Sequence, residues 1–256
     1  MRAETPAVTI DSQGVPLLGV LHLPAGEGPH PVVVLLHGFP GNERNFDLAQ
    51  TLRSAGYAAL VFHYRGSWGV GGDWSWGNAL ADGSAVLRAV RGEFGARHRL
   101  DPRRVALAGH SMGGFVALMT AAAEPSVAAV ASVSGYDFGA VAAALDEAGR
   151  AELAGIFQEE LLPLRGTSGP ALVAEMVAAG AAWRLDALAA RLAGRPVLLV
   201  GSGQDPVSPA AVHHRPLVTA YAGARLEHHE WATDHALSDR RTDLAATLRG
   251  FLDRSL

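Results

Sequence analysis

Ser111 stands where a side chain can do covalent chemistry. It lies in Gly109-His110-Ser111-Met112-Gly113, after the apolar run Val105-Ala106-Leu107-Ala108 and before the helix-forming run Phe115 to Ala123. That pattern predicts a strand, a sharp turn and a helix, with the serine at the tip. Glycines two positions before and after the serine remove side chains where strand and helix crowd together. The serine can then hold a strained backbone geometry and push its hydroxyl outward. A serine hydroxyl is a weak nucleophile at neutral pH, so this chemistry needs a base and a group that orients the base.

In a strand–turn–helix serine nucleophile, the acid and then the histidine follow the serine in the chain. Asp205 follows Pro196-Val197-Leu198-Leu199-Val200-Gly201-Ser202-Gly203-Gln204, an apolar strand that opens into a Gly-rich loop. The end of a buried strand is where a carboxylate reaches a site at the sheet's carboxyl edge. The base is expected at His235, just before a closing helix from Ser238 to Leu252. Asp234 adjoins His235, but neighbouring side chains point apart, which leaves it poorly placed to bond that ring. His228 and His229 fall in the expected strand Arg225 to Trp231, with structural or exposed roles. His213 and His214 follow Asp205 too closely and read as loop or helix surface. His110, beside Ser111, reads as a buried support residue.

Acyl chemistry at Ser111 also needs two N–H groups aimed at the developing oxyanion. Met112, the residue after the serine, supplies one. The other is expected in the loop after Val32-Val33-Val34-Leu35-Leu36, which reads His37-Gly38-Phe39-Pro40-Gly41. Pro40 has no N–H. Phe39 is therefore the expected donor, with Gly38 allowing the turn.

With His37 to Gly41, Gly109 to Gly114, Asp205 and His235 in this order, the chain resembles the α/β-hydrolase superfamily over about residues 15 to 254. The resemblance implies a mostly parallel eight-stranded sheet flanked by helices. A further stretch, Tyr64-Arg65-Gly66-Ser67 with Gly69, Gly71 and Gly72, is similar to the prolyl-oligopeptidase-like, or dienelactone hydrolase-like, catalytic domain. The chain departs from the full-length peptidases of that group. The first expected strand begins at Leu17, so no propeller domain is expected ahead of it. His37 also stands where many of those peptidases place an oxyanion-stabilising tyrosine. Both departures favour a small esterase over a peptidase.

The chain has 256 residues, a formal net charge of −4 and no cysteine. The length suits one α/β domain with a sizeable core. Disulfides, a thiol nucleophile and cysteine-ligated metals are excluded. Basic runs go no further than Arg103-Arg104 or Arg240-Arg241, which gives nucleic acid no footprint. Met1-Arg2-Ala3-Glu4-Thr5-Pro6 lacks the apolar core of a secretory signal, and no stretch has the length to span a bilayer. The expected location is the cytoplasm. The composition leaves oligomeric state open.

Strand and helix signals alternate along the chain, as in a parallel sheet covered on both faces. Strands are expected at Leu17–Leu23, Val32–Leu36, Ala58–Phe62, Val105–Ala108, Val127–Val133, Val197–Val200 and Arg225–Trp231. Helices are expected at Arg44–Ser54 and Asn78–Phe94. The stretch from Tyr136 to Gly194 breaks the rhythm, with helical runs at Val141–Phe157 and Leu172–Ala182. The resemblance implies that an insertion between the sixth and seventh strands, roughly residues 138 to 183, forms a small helical cap within a single domain spanning 1 to 256.

Trp68, Trp74 and Trp76 follow Tyr64-Arg65-Gly66. At least two of them are expected to pack beneath the loop, while Trp76 and Tyr136 are the candidate substrate-pocket residues. Arg65 reads as a structural ion-pair partner, His22 and His63 as packing residues, and Asp82 as a surface or loop-pairing acid. The expected activity is carboxylic ester hydrolysis of a small-molecule substrate through an acyl-enzyme, without cofactor or metal. An amidase or peptidase of the same mechanism is the alternative, followed by a non-catalytic ligand-binding protein on the same fold.

Overall fold

Eight strands form one sheet in the computed structural model, which describes residues 1–256. They are β1 (Ala7–Ser12), β2 (Val15–His22), β3 (His30–Leu36), β4 (Ala58–Phe62), β5 (Leu100–His110), β6 (Ala129–Val133), β7 (Pro196–Ser202) and β8 (Arg225–Trp231). Their spatial order is β1-β2-β4-β3-β5-β6-β7-β8. β1 and β2 form an antiparallel hairpin and β2 runs antiparallel to β4; every pairing beyond β4 is parallel. β4, β6 and β7 are buried along their whole length, as strands covered on both faces must be.

The helices are α1 (Phe46–Ser54), α2 (Trp76–Arg91), α3 (Glu93–Arg97), α4 (Met112–Ala123), α5 (Phe138–Ala144), α6 (Glu147–Glu159), α7 (Gly169–Ala179), α8 (Ala189–Leu192), α9 (Ala210–His213), α10 (Arg215–Ala220) and α11 (Arg241–Ser255). Alternation along β3 divides the core in two. Val32, Val34 and Leu36 pack with Val86 and Val90 of α2, Val116 and Leu118 of α4 and the helices between β6 and β7. Val33 and Leu35 pack with Leu48 and Leu52 of α1 and Leu244, Leu248 and Phe251 of α11.

Several elements differ from expectation. β1 lies in residues read as preceding the first strand. It alternates exposed and buried side chains and joins β2 through Gln13-Gly14, both at positive φ, the geometry of a tight two-residue hairpin. The helix expected from Asn78 to Phe94 ends at Arg91, and Gly92 breaks it from α3. The helix expected over Val141–Phe157 is two helices, because Asp146 turns away and caps α6 by accepting from Gly149 N–H at 2.8 Å. Of the two roles expected for Asp82, surface acid or loop-pairing acid, the structure shows the second. Asp82 is fully buried mid-way along α2, where its carboxylate accepts from Ser12 Oγ at 2.7 Å and from Arg65 N–H and Nε at 2.8 Å. That knot ties β1, the loop after β4 and α2 together. His213 and His214 are also buried rather than on the surface.

Candidate active site

Ser111 connects β5 to α4 with φ 57° and ψ −125°, a strained conformation for a residue with a side chain. The flanking glycines make it possible. A Cβ on Gly109 would run into the carbonyl of Gly113, and a Cβ on Gly113 into the carbonyl of Leu36. The turn is anchored where Ser111 N–H donates to Val133 O at 2.9 Å.

The loops after β7 and β8 meet beside this turn. His235 Nδ1 lies 2.6 Å from Asp205 Oδ2. A carboxylate only accepts, so Nδ1 carries a proton; the neutral tautomer with this arrangement has its lone pair on Nε2. Asp205 also accepts from Val207 N–H at 2.8 Å, Ser208 N–H at 2.9 Å and Ser208 Oγ at 2.7 Å. Burial alone would raise the pKa of Asp205, but the hydrogen bonds from His235 and Ser208 outweigh it and lower the carboxyl to about 2. Asp234 is exposed and serves its own loop, accepting from Ser238 N–H at 2.8 Å and Ser238 Oγ at 2.7 Å.

His110 holds the histidine loop from beneath. Its Nε2 donates to the carbonyl of His235 at 2.7 Å, and the two rings lie 4.8 Å apart. Burial, reinforced by the neighbouring His235, lowers its pKa to about 4, so it is a neutral donor. The His110–His235 contact and the bond from Ser208 Oγ to the carbonyl of Ser134, at 2.9 Å, each join segments more than seventy residues apart, so neither pairing was legible in the sequence.

The loop after β3 lies against the serine. A Cβ on Gly38 would come within 3.0 Å of Ser111 Cβ. The Phe39 N–H donates to no backbone acceptor, and Met112 heads α4, where first-turn N–H groups lack intrahelical partners. The loop is fixed by buried contacts. His37 Nδ1 donates to Gly38 O at 2.8 Å, and burial depresses that imidazole to about 3. Trp68 Nε1 donates to Pro40 O at 2.9 Å, with the Arg44 guanidinium 4.2 Å above the Trp68 ring.

Ser111, His235, Phe39 and Met112 open on one cavity of about 350 Å3, whose walls include Trp76, Tyr136, Phe138, Ile156 and Phe157. Both expected pocket residues are therefore in the lining. Trp76 also packs: its Nε1 donates to Leu172 O at 3.0 Å. Its own N–H and that of Gly77 donate to the Glu175 carboxylate at 2.9 and 2.8 Å, docking α7 on the start of α2. Tyr136 stacks on His213 at 4.6 Å, and His213 Nδ1 accepts from Asp137 N–H at 2.9 Å. Trp74 is buried, while Trp68 braces the loop after β3. A more open depression of about 620 Å3 beside Arg44 and Arg241 contains neither Ser111 nor His235. No three histidine, aspartate or glutamate side chains are grouped to hold a metal, and no helix is long and apolar enough to cross a membrane.

Comparisons with known proteins agree with this architecture. The model of the alpha/beta hydrolase family matches residues 33–247. The chain is 29% identical over 142 residues to 2,6-dihydropseudooxynicotine hydrolase of Paenarthrobacter nicotinovorans, covering 52% of this chain and 35% of that protein. It is 34% identical over 136 residues to the quorum-quenching protein AidA of Acinetobacter baumannii, covering 49% and 42%. The matched region thus spans well under half the length of either relative. Among solved structures, a Pyrococcus furiosus esterase superposes with a TM-score of 0.72 at 16% identity, over 99% of this chain and 92% of that one. Est1E of Butyrivibrio proteoclasticus, solved with ferulic acid, gives 0.71 at 20% identity, over 97% and 98%. At those identities the structures speak for the fold, and the family model, which covers most of the sequence, carries the assignment: the chain belongs to the alpha/beta hydrolase family.

Proposed function

We propose that the protein is a serine hydrolase of carboxylic esters that works through an acyl-enzyme. The observation that carries this reading is His235, held by Asp205 at 2.6 Å and opening on the same cavity as Ser111. Ser111 Oγ attacks the ester carbonyl while His235 Nε2 takes its proton. Asp205 holds the tautomer and stabilises the imidazolium. The N–H groups of Phe39 and Met112 receive the negative charge on the tetrahedral oxygen. Collapse expels the alcohol, which takes its proton from His235. Water, deprotonated by His235, then attacks the acyl-serine, and the carboxylic acid leaves as Ser111 regains a proton.

The helices between β6 and β7 act in this reading as a cap, supplying Phe138, Ile156, Phe157 and Glu160 to the cavity. An ester substrate is supported over a peptide by the surroundings of Tyr64-Arg65-Gly66-Ser67. Tyr64 is buried, Arg65 is bound to Asp82, and none of the four lines the cavity. The test is a panel of chromogenic esters of graded acyl length beside matched aminoacyl arylamides. Turnover of esters with little of the arylamides supports the proposal, and the reverse order makes the protein an amidase.

A further inference from the structure

We infer that the cavity at Ser111 selects esters that carry an organic cation, an amine or quaternary ammonium group, and that Glu160 is the residue that selects them. The inference rests on the reading of this cavity as an ester-hydrolase site.

Two independent features point there. The first is the wall itself. Phe39, Trp76, Tyr136, Phe138 and Phe157 surround the cavity, and their rings pack at centroid distances of 5.1 Å for Phe39–Trp76, 5.4 Å for Trp76–Phe157 and 4.8 Å for Tyr136–Phe138. Aromatic faces attract a weakly hydrated cation through their quadrupoles, whereas they give a carboxylate nothing. Burial raises the Tyr136 phenol to about 12, so this ring contributes no negative charge of its own.

The second feature is the end of α6. Its last turn brings Ile156 and Phe157 to the cavity, and Glu160 follows as the C-cap, also in the lining. A helix C-terminus carries partial negative charge and favours a basic residue. Here the last turn has no basic residue, and Glu159 and Glu160 add two carboxylates. Neither takes part in any of the chain's ion pairs. No lysine or arginine lines the cavity; the nearby Arg44 is stacked on Trp68 outside it. The chain thus leaves a concentration of negative charge unrelieved at the rim of an aromatic pocket. A substrate cation held at that rim relieves it, in the cavity that His235 also lines.

The test compares butyrylcholine with its uncharged isostere, 3,3-dimethylbutyl butyrate, at low and high ionic strength. The ratio of the two kcat/KM values cancels general damage to the enzyme. The wild type should favour the cationic ester by about fivefold at low salt, the upper end for one solvent-exposed charge pair. High salt should compress that ratio. Glu160→Gln should bring it close to one, and Glu160→Lys should invert it. A wild-type ratio of one or less, or a preference that Glu160→Gln leaves intact, would overturn the inference. If neither ester is hydrolysed, the reading of the site as an esterase fails. Calorimetric titration with phenyltrimethylammonium then decides the cation site alone: about fivefold weaker binding to Glu160→Gln supports it, and equal binding to both proteins refutes it.

Discussion

Ser208 Oγ lies 2.7 Å from Asp205 Oδ2 and donates to it, while the carbonyl of Ser134 lies 2.9 Å away on the other side of the same hydroxyl. A hydroxyl has one proton, so these two acceptors compete for it. Asp205 Oδ2 also receives the His235 Nδ1 proton. The hydroxyl therefore sets how much negative charge Asp205 presents to the histidine. Ser208→Ala should lower kcat by about tenfold with little change in KM, and shift the acid limb of the kcat/KM profile to higher pH. Ser208→Thr should restore both. A drop in kcat with no movement of the acid limb would make Ser208 a packing residue only.

The two neighbouring acids should separate cleanly. Asp205→Asn removes the charge that stabilises the imidazolium and is expected to cost on the order of 10³ to 10⁴ in kcat. Asp234→Asn, exposed and bonded only within its own loop, should cost less than about threefold. Steady-state kinetics on one ester decides between them, and a severe Asp234→Asn with a mild Asp205→Asn would reverse the assignment.

Asp205 also ties stability to pH. Its folded pKa of about 2 lies below the unfolded value of 3.8, so its contribution is fully present above the unfolded value and is lost as pH falls through the folded one. That window is worth roughly 2 kcal/mol. The stability gap between wild type and Asp205→Asn, from denaturant titrations, should narrow steadily from pH 5 toward pH 2. A gap that stays constant over this window would remove the ionic contribution.

His110 is expected to act through His235 rather than on substrate. His110→Ala should lower kcat several-fold by releasing the His235 carbonyl, and His110→Gln, which keeps a donor, should recover part of it. Because burial holds His110 near 4, neither change should add or remove a titration in the activity profile above pH 5. A titration that vanishes there with His110 would identify it as a second base.

Gly38 tests the oxyanion donors, which side-chain substitution cannot reach directly. A Cβ there would lie 3.0 Å from Ser111 Cβ and 3.2 Å from the His110 carbonyl, so the loop carrying the Phe39 N–H must shift. Gly38→Ala should lower kcat by about 10² and weaken a boronic-acid analogue of the tetrahedral state in parallel. Lost kcat with undiminished boronate binding would place the oxyanion elsewhere.

What could be read from the sequence follows from how local each signal is. Ala58–Phe62 and Arg225–Trp231 coincide with β4 and β8 because each follows a turn residue within two positions. β1 gives a faint sequence signal because its inward side carries only two apolar residues, Val8 and Ile10, and the third inward position is the polar Ser12. The α5–α6 break was missed because both halves are alanine-rich and the interruption at Leu145-Asp146 is brief. Ser111, Asp205 and His235 could be nominated from strand ends and chain order. The supporting shell could not. Ser208 acquires its role from Ser134, 74 residues earlier, and Asp82 is buried because Arg65 and Ser12 come to it from other elements.

Ser111 is the residue on which the proposed chemistry depends. The most direct measurement is covalent labelling by a fluorophosphonate, with the modified residue located by peptide mass spectrometry and hydrolysis of a chromogenic ester followed alongside. The wild type should be labelled once, at Ser111, and lose activity in proportion. Ser111→Ala should fold, resist the probe and retain less than about 10⁻⁴ of the wild-type kcat. Ester turnover at the wild-type rate by folded Ser111→Ala, or labelling at a different serine, would contradict the account.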